Sequence, residues 1–491
     1  MNVHKPRYEG KRWTLVFGAY TGMEQVAIQK LNAMVQKHLP YVVKCIPASA
    51  YVSANESHVV LLGTPASNPW VGKLIRDGQI KLANHPQAYA LAGMEAPWAP
   101  GMRLMVIAGQ SEAGLLHGVA HFGTHLASPT ITVERPTVGK LRNAFDSIKD
   151  FAIQEQPLIG NRGLWTWGYV VYDYRRYLDN MARLKLNMLT LWNDYPPVNI
   201  KEIIAYAHAR GIKIILGFPW GWGQEHDLTK AEDRRKIKEL VFREYETNYA
   251  HLDMDGIYFQ TLTEHTQTEA GGKSLAAIVC EMVNEIGPEL LAKYPGLNLQ
   301  FGLHATSIRE RYTDLAGLDP RITIVWEDVG ALPFSYSPET VYAIAPEGMR
   351  TFEETLEYSL KLASFRKNSE FAMVPKGWAC IDWPDEFEHH EQFLLGECDP
   401  QFIADRLMAR QPHWDRVNAL WLRNYPLAVR FYREILKCNP TSITVTGLVE
   451  DGLFEERIQS SVALFAETIW NPERDPGDIL ELALSPAYTR S

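Results

Sequence analysis

From residue 161 onward the chain alternates short apolar runs with longer amphipathic stretches, and no other feature constrains its fold as strongly. The apolar runs are Arg162–Gly168, Asn187–Asp194, Ile212–Pro219, Gly256–Thr263, Asn298–His304 and Ile322–Trp326, one that begins at Phe371, and Ser442–Thr446. Between them, helical apolar spacing covers Tyr174–Lys185, Ile200–Arg210, Ala231–Ala250, Leu275–Lys293, Phe352–Arg366 and Ile458–Trp470, while the fifth crossover, Arg309–Pro320, is short. Strands that are apolar on both faces and separated by helices are what a parallel sheet covered by helices requires. Eight of them favour closure into a (β/α)8 TIM barrel over an open doubly wound sheet.

The segment before the barrel reads as a smaller α/β domain over residues 1–150. Trp13–Phe17, Tyr41–Ile46, Val59–Leu62 and Arg103–Ala108 have strand character. Met23–Lys37 has helical spacing, and Ser111 is placed to cap a helix running to Phe122. Residues 151–480 form the expected barrel, with a helical insertion or extension around 386–440, and 481–491 form a tail. No GxGxxG follows a strand and there is no GxxxxGK[ST], HExxH or GxSxG, so no cofactor is expected.

With a net charge of −9 in 491 residues, the chain is a poor match for nucleic acid or an anionic membrane. Five scattered cysteines without CxxC spacing read as free thiols, and the polar N-terminus reads as neither signal nor span, so a cytoplasmic location is expected. The Glu388–Glu391 phrase holds two histidines, but adjacent histidines diverge on a helix, and no metal site is expected there.

In a (β/α) barrel the chemistry gathers where the strands end. Strand one offers Arg162, Trp165 and Trp167; strand two Trp192, Asn193 and Asp194; strand three Trp222. Strand four offers Glu264 and His265, strand five His304, strand six Trp326, Glu327 and Asp328, and strand seven Lys376 and Trp378. Tryptophans stack on the apolar faces of pyranose rings, and paired carboxyl groups supply the acid and base of glycoside hydrolysis. Glu264 is either the proton donor or a loop cap. Glu327 and Asp328 are adjacent and point opposite ways in extended backbone, so one of them faces the site, and Asp328 is preferred. Arg162 either pairs with a core carboxylate or clamps a substrate.

Val106–Val119, Asn161–Gly168, Tyr177–Asn187 and Ala205–Lys213, in this domain order, resemble family 67 α-glucuronidases and family 20 β-hexosaminidases. Hexosaminidases carry Asp-Glu after strand four. Thr263-Glu264 lacks that Asp and is more similar to the Ser-Glu of the α-glucuronidases. The resemblance implies that Glu264 is the general acid of an inverting, exo-acting hydrolase, with water activated by carboxylates after strands five and six. His304 stands where the strand-five acid belongs, and Ala331–Glu339 is loosely similar to the strand-six phrase, so the base lies among Asp328, Glu327 and Glu339. The expected partner is an oligosaccharide, with a homodimer as candidate assembly. A β-N-acetylhexosaminidase-like enzyme and a non-catalytic carbohydrate-binding barrel are the alternatives.

Overall fold

The computed structural model describes residues 11–39, 41–53, 57–123, 148–221, 226–261, 268–327, 351–366, 370–378, 392–438, 440–451, 454–485 and 488. Barrel strand one is Asn161–Trp167, two Met188–Trp192, three Lys213–Gly217, four Gly256–Gln260, five Asn298–His304, six Ile322–Glu327, seven Glu370–Val374 and eight Ser442–Leu448. Each pairs in parallel with the next, and strand eight returns to strand one, so the sheet closes. Successive side chains point to opposite faces. Trp165, Met188, Trp192, Ile215, Tyr258, Val325, Ala372 and Val374 fill the interior as a cluster of their own. Their neighbours, among them Leu164, Leu189, Ile214, Ile257, Ile324 and Phe371, face outward into the larger core beneath the helices.

Among the described residues, the helical region foreseen around 386–440 contains the helix Pro400–Lys437, started by the Asp399 side chain and by proline at its first position. Its Trp414 and Trp421 are buried against the barrel. The third barrel helix stops being α-helical at Glu244 and continues as a π turn over Tyr245–Tyr249.

The N-terminal domain is a six-stranded sheet in the order Lys44–Pro47, Trp13–Phe17, His58–Gly63, Arg103–Gly109, Tyr89–Glu95 and Phe151–Glu155. The first four are parallel, and the last two pair antiparallel. Tyr89–Glu95 was not apparent from the sequence, and Phe151–Glu155 carries the sheet beyond the boundary expected at residue 150. Ser111 caps its helix as expected, accepting from the Ala113 and Gly114 amides.

The last barrel helix, Ser460–Trp470, ties the two domains together. Its final residue, Trp470, belongs to the core of the N-terminal sheet and packs on Tyr89 and His117. The Arg162 guanidinium lies 4.7 Å and the Lys185 ammonium 5.3 Å from its ring. Lys185, in the left-handed region at φ 58°, pairs with fully buried Glu467 at 2.7 Å. Glu467 also accepts from Tyr488 Oη at 2.8 Å and Arg474 at 3.2 Å. Burial lowers the Lys185 pKa and Glu467 opposes that shift. Removing one partner of a buried pair strands the other. Glu467→Gln is therefore expected to lower unfolding stability by about 3–5 kcal/mol, read from urea denaturation; an unchanged midpoint would show that the tie carries no stability.

Candidate active site

Strand six ends on Glu327. Two-residue periodicity puts its side chain on the face of Val325, which lines the barrel interior. The residue is 5% exposed, and polar groups from three other strands converge on its carboxylate. Tyr258 Oη and Gln260 Nε2, both of strand four, donate to Oε1. Nε2 of His304, the last residue of strand five, lies 3.3 Å from Oε2, and Nζ of Lys376, just past strand seven, lies 3.9 Å from it. The Tyr258 phenol is held well above its ordinary pKa, first by burial and then by the charge of Glu327, so it remains a donor.

Below and beside this carboxylate is an aromatic wall. Trp165 and Trp192 stack at 6.3 Å, and Trp167 meets them edge-on at 5.2 and 6.0 Å. Tyr258 closes the group at 5.8 Å from Trp165 and 6.1 Å from Trp192. Strand three leaves room for the wall: a Cβ on Gly217 would lie 2.5 Å from Cε3 of Trp192. The site thus offers flat apolar rings, one fixed carboxylate and a neighbouring ammonium, a set suited to a hydroxylated ring with a polar reacting centre.

The structure gathers Trp165, Trp167, Trp192, His304, Glu327 and Lys376 at this end of the barrel. It sends other expected residues elsewhere. Arg162 lies near the opposite end of strand one, 1% exposed, donating to the carbonyls of Ile159, Gly160 and Lys185 and to Gln87 Oε1. It therefore belongs to the domain junction and does not clamp a substrate. Trp326 faces outward and packs edge-on against Phe365 at 5.9 Å, because alternation gives the inward position to Glu327. Trp378 is buried against Trp421, stacked at 4.7 Å. Asn193 accepts from the Gly168 amide at 3.1 Å and Asp194 from Tyr169 Oη at 3.2 Å, so both brace the loop after strand one. Glu264, His265, Trp222, Asp328 and Glu339 lie outside the described residues. Among the described residues no cluster of His, Cys, Asp and Glu could hold a metal ion, and no helix is long and apolar enough to cross a membrane.

No protein-family model matches the sequence, and no curated protein does. In fold the chain is similar to a solved structure titled "Structure of CpGH84B", with a TM-score of 0.53 at 12% identity, covering 96% of this chain and 70% of that one. That likeness agrees with a closed parallel barrel preceded by an α/β domain.

One ionisable residue at the mouth went unrecognised in the sequence. Glu455 follows strand eight, is 1% exposed, and accepts from the Tyr172 and Asp173 amides at 2.6 and 3.3 Å, anchoring the approach to the first barrel helix. Its other oxygen is buried with no hydrogen-bond partner among the described residues. Burial raises its pKa from 4.5 to about 7. Between those two values the folded state holds a proton that the unfolded chain has released, so this residue's contribution to stability falls as pH rises from 4.5 to 7. Glu455→Gln is expected to remove a decline on the order of 3 kcal/mol over that window, measured by urea unfolding at several pH values; parallel pH dependences in the two proteins would contradict it.

Proposed function

We propose that the chain is a glycoside hydrolase whose reaction takes place over the aromatic wall at the C-terminal mouth of the barrel. The observation that carries this reading is Glu327, a buried carboxylate held by Tyr258 and Gln260 and adjoined by His304 and Lys376. Its place at the end of a barrel strand is where enzymes of this architecture put their catalytic groups. The fold neighbour CpGH84B, a glycoside hydrolase family 84 enzyme, supports the general assignment.

The finer reading is an exo-acting, α-glucuronidase-like hydrolase that inverts. Water attacks the anomeric carbon as the glycosidic C–O bond breaks. Glu264, four residues beyond Gln260, gives its proton to the leaving oxygen, and Glu327 takes the proton of the attacking water. A sugar carboxylate is the natural partner for the Lys376 ammonium beside Glu327. Inversion requires the two carboxyl groups to be ~6.5–9.5 Å apart, which leaves room for the water.

Hydrolysis of an aryl glycoside panel tests the reading, with uronides expected to turn over fastest and the first-formed anomer, followed by proton NMR, expected to be inverted. Cleavage of N-acetylhexosaminides instead would replace the uronide assignment, and binding of oligosaccharides without any hydrolysis would leave a carbohydrate-binding barrel. Glu327→Gln is expected to lower kcat by about 10²–10⁴-fold in a protein that circular dichroism shows to be folded; near-normal turnover would remove Glu327 from the base role.

A further inference from the structure

Each oxygen of an ionised carboxylate accepts about two hydrogen bonds. At Glu327, Oε1 already receives two, from the Tyr258 hydroxyl and the Gln260 amide. Oε2 has His304 Nε2 at 3.3 Å and Lys376 Nζ at 3.9 Å, the latter beyond hydrogen-bond reach. The two oxygens are therefore unequal.

The tyrosine that closes Oε1 is itself admitted by a glycine. Strand five carries Gln300, Gly302 and His304 on its inner face, and Gly302 pairs in register with Gln260. A Cβ on Gly302 would fall inside van der Waals contact of Tyr258 Oη and Cζ, and 2.6 Å from Cε1. Tyr258 is 0% exposed and boxed edge-on by Trp165 and Trp192, so the phenol has nowhere to retreat. Only the missing side chain of strand five lets a strand-four phenol reach a strand-six carboxylate.

We infer that Tyr258 is a positioning residue that closes Oε1 of Glu327, that Gly302 is the notch that admits it, and that Oε2 is the oxygen presented to the reacting water. The assignment of a reacting oxygen rests on the glycoside hydrolase reading; the positioning itself does not. In the reaction, the proton from water goes to Oε2 as its oxygen bonds to the anomeric carbon, while the leaving oxygen is protonated by the acid. Oε1 keeps its two donors throughout, so the carboxyl plane does not turn. Among the described residues, the ionisable groups facing this carboxylate are Tyr258 from strand four, His304 from strand five and Lys376 after strand seven.

The test uses the full-length protein and the variants Tyr258→Phe and Gly302→Ala, with ¹³Cδ-labelled glutamate followed against pH and the Glu327 resonance assigned by its loss in Glu327→Gln. Removing a donor to the charged form favours the protonated one, so the Glu327 midpoint is expected to rise by about one pH unit, a tenfold change in its ionisation constant, in Tyr258→Phe. Gly302→Ala is expected to move it the same way, by displacing the phenol. On a hydrolysed glycoside, kcat falls about tenfold with KM little changed, and the acid limb of the rate profile moves up with the NMR midpoint. Tyr258→Phe keeps the ring, so it reports even if Gly302→Ala does not fold. An unmoved midpoint in Tyr258→Phe overturns the inference. A moved midpoint in a protein that hydrolyses no glycoside upholds the positioning and overturns the enzymatic reading instead.

Discussion

A carboxylate is not withdrawn from water inside a barrel unless its neighbours replace the solvent. Unpaired, such a charge costs several kcal/mol or is neutralised. Glu327 is withdrawn in this way, and the upper half of the barrel is organised around it. Strand four supplies a phenol and an amide, strand five an imidazole, and the end of strand seven an ammonium. Each reaches the same point only because the strands are in fixed register and the barrel is closed.

The strand–helix alternation was legible because parallel strands buried on both faces must be continuously apolar, and all eight were found where that pattern put them. Which face looks inward was not legible, for the same reason. The strand Ile-Thr-Ile-Val-Trp-Glu puts Ile322, Ile324 and Trp326 on one face and Thr323, Val325 and Glu327 on the other, but both faces are buried, so which one looks inward follows only from closure. Trp326 and Arg162 show the same limit: both are at plausible chemical positions in the sequence, yet one faces the helices and the other lies near the far end of its strand. Of the antiparallel strands, Tyr89–Glu95 reads Tyr-Ala-Leu-Ala-Gly-Met-Glu and lacks β-branched residues, and Phe151–Glu155 pairs with it from far along the chain, so neither carries a local signal. Tyr258 gives no local sign of its role as a donor, because that role depends on Gly302 in the next strand, a long-range fact that no local pattern carries.

The two domains are joined by chemistry of the opposite kind to the mouth. At the far side Trp470 leaves the barrel to enter the core of the N-terminal sheet, with Arg162 and Lys185 against its ring and Glu467 neutralising Lys185. There Lys185 has the opposite charge of Glu467, and Arg162 has carbonyl partners. At the mouth Oε1 of Glu327 is closed by two hydrogen-bond donors, whereas the groups beside Oε2, His304 at 3.3 Å and Lys376 at 3.9 Å, stand further off. The contrast separates a buried charge that holds domains together from the one we propose as the proton acceptor.

A crystal structure with an iminosugar bound would show which oxygen of Glu327 faces a ligand. The sugar ring is expected over Trp165 and Trp192, with its anomeric end toward Oε2 of Glu327 and Tyr258 still bonded to Oε1. A ligand seated away from Glu327, or one that displaces Tyr258 to contact Oε1, would contradict it.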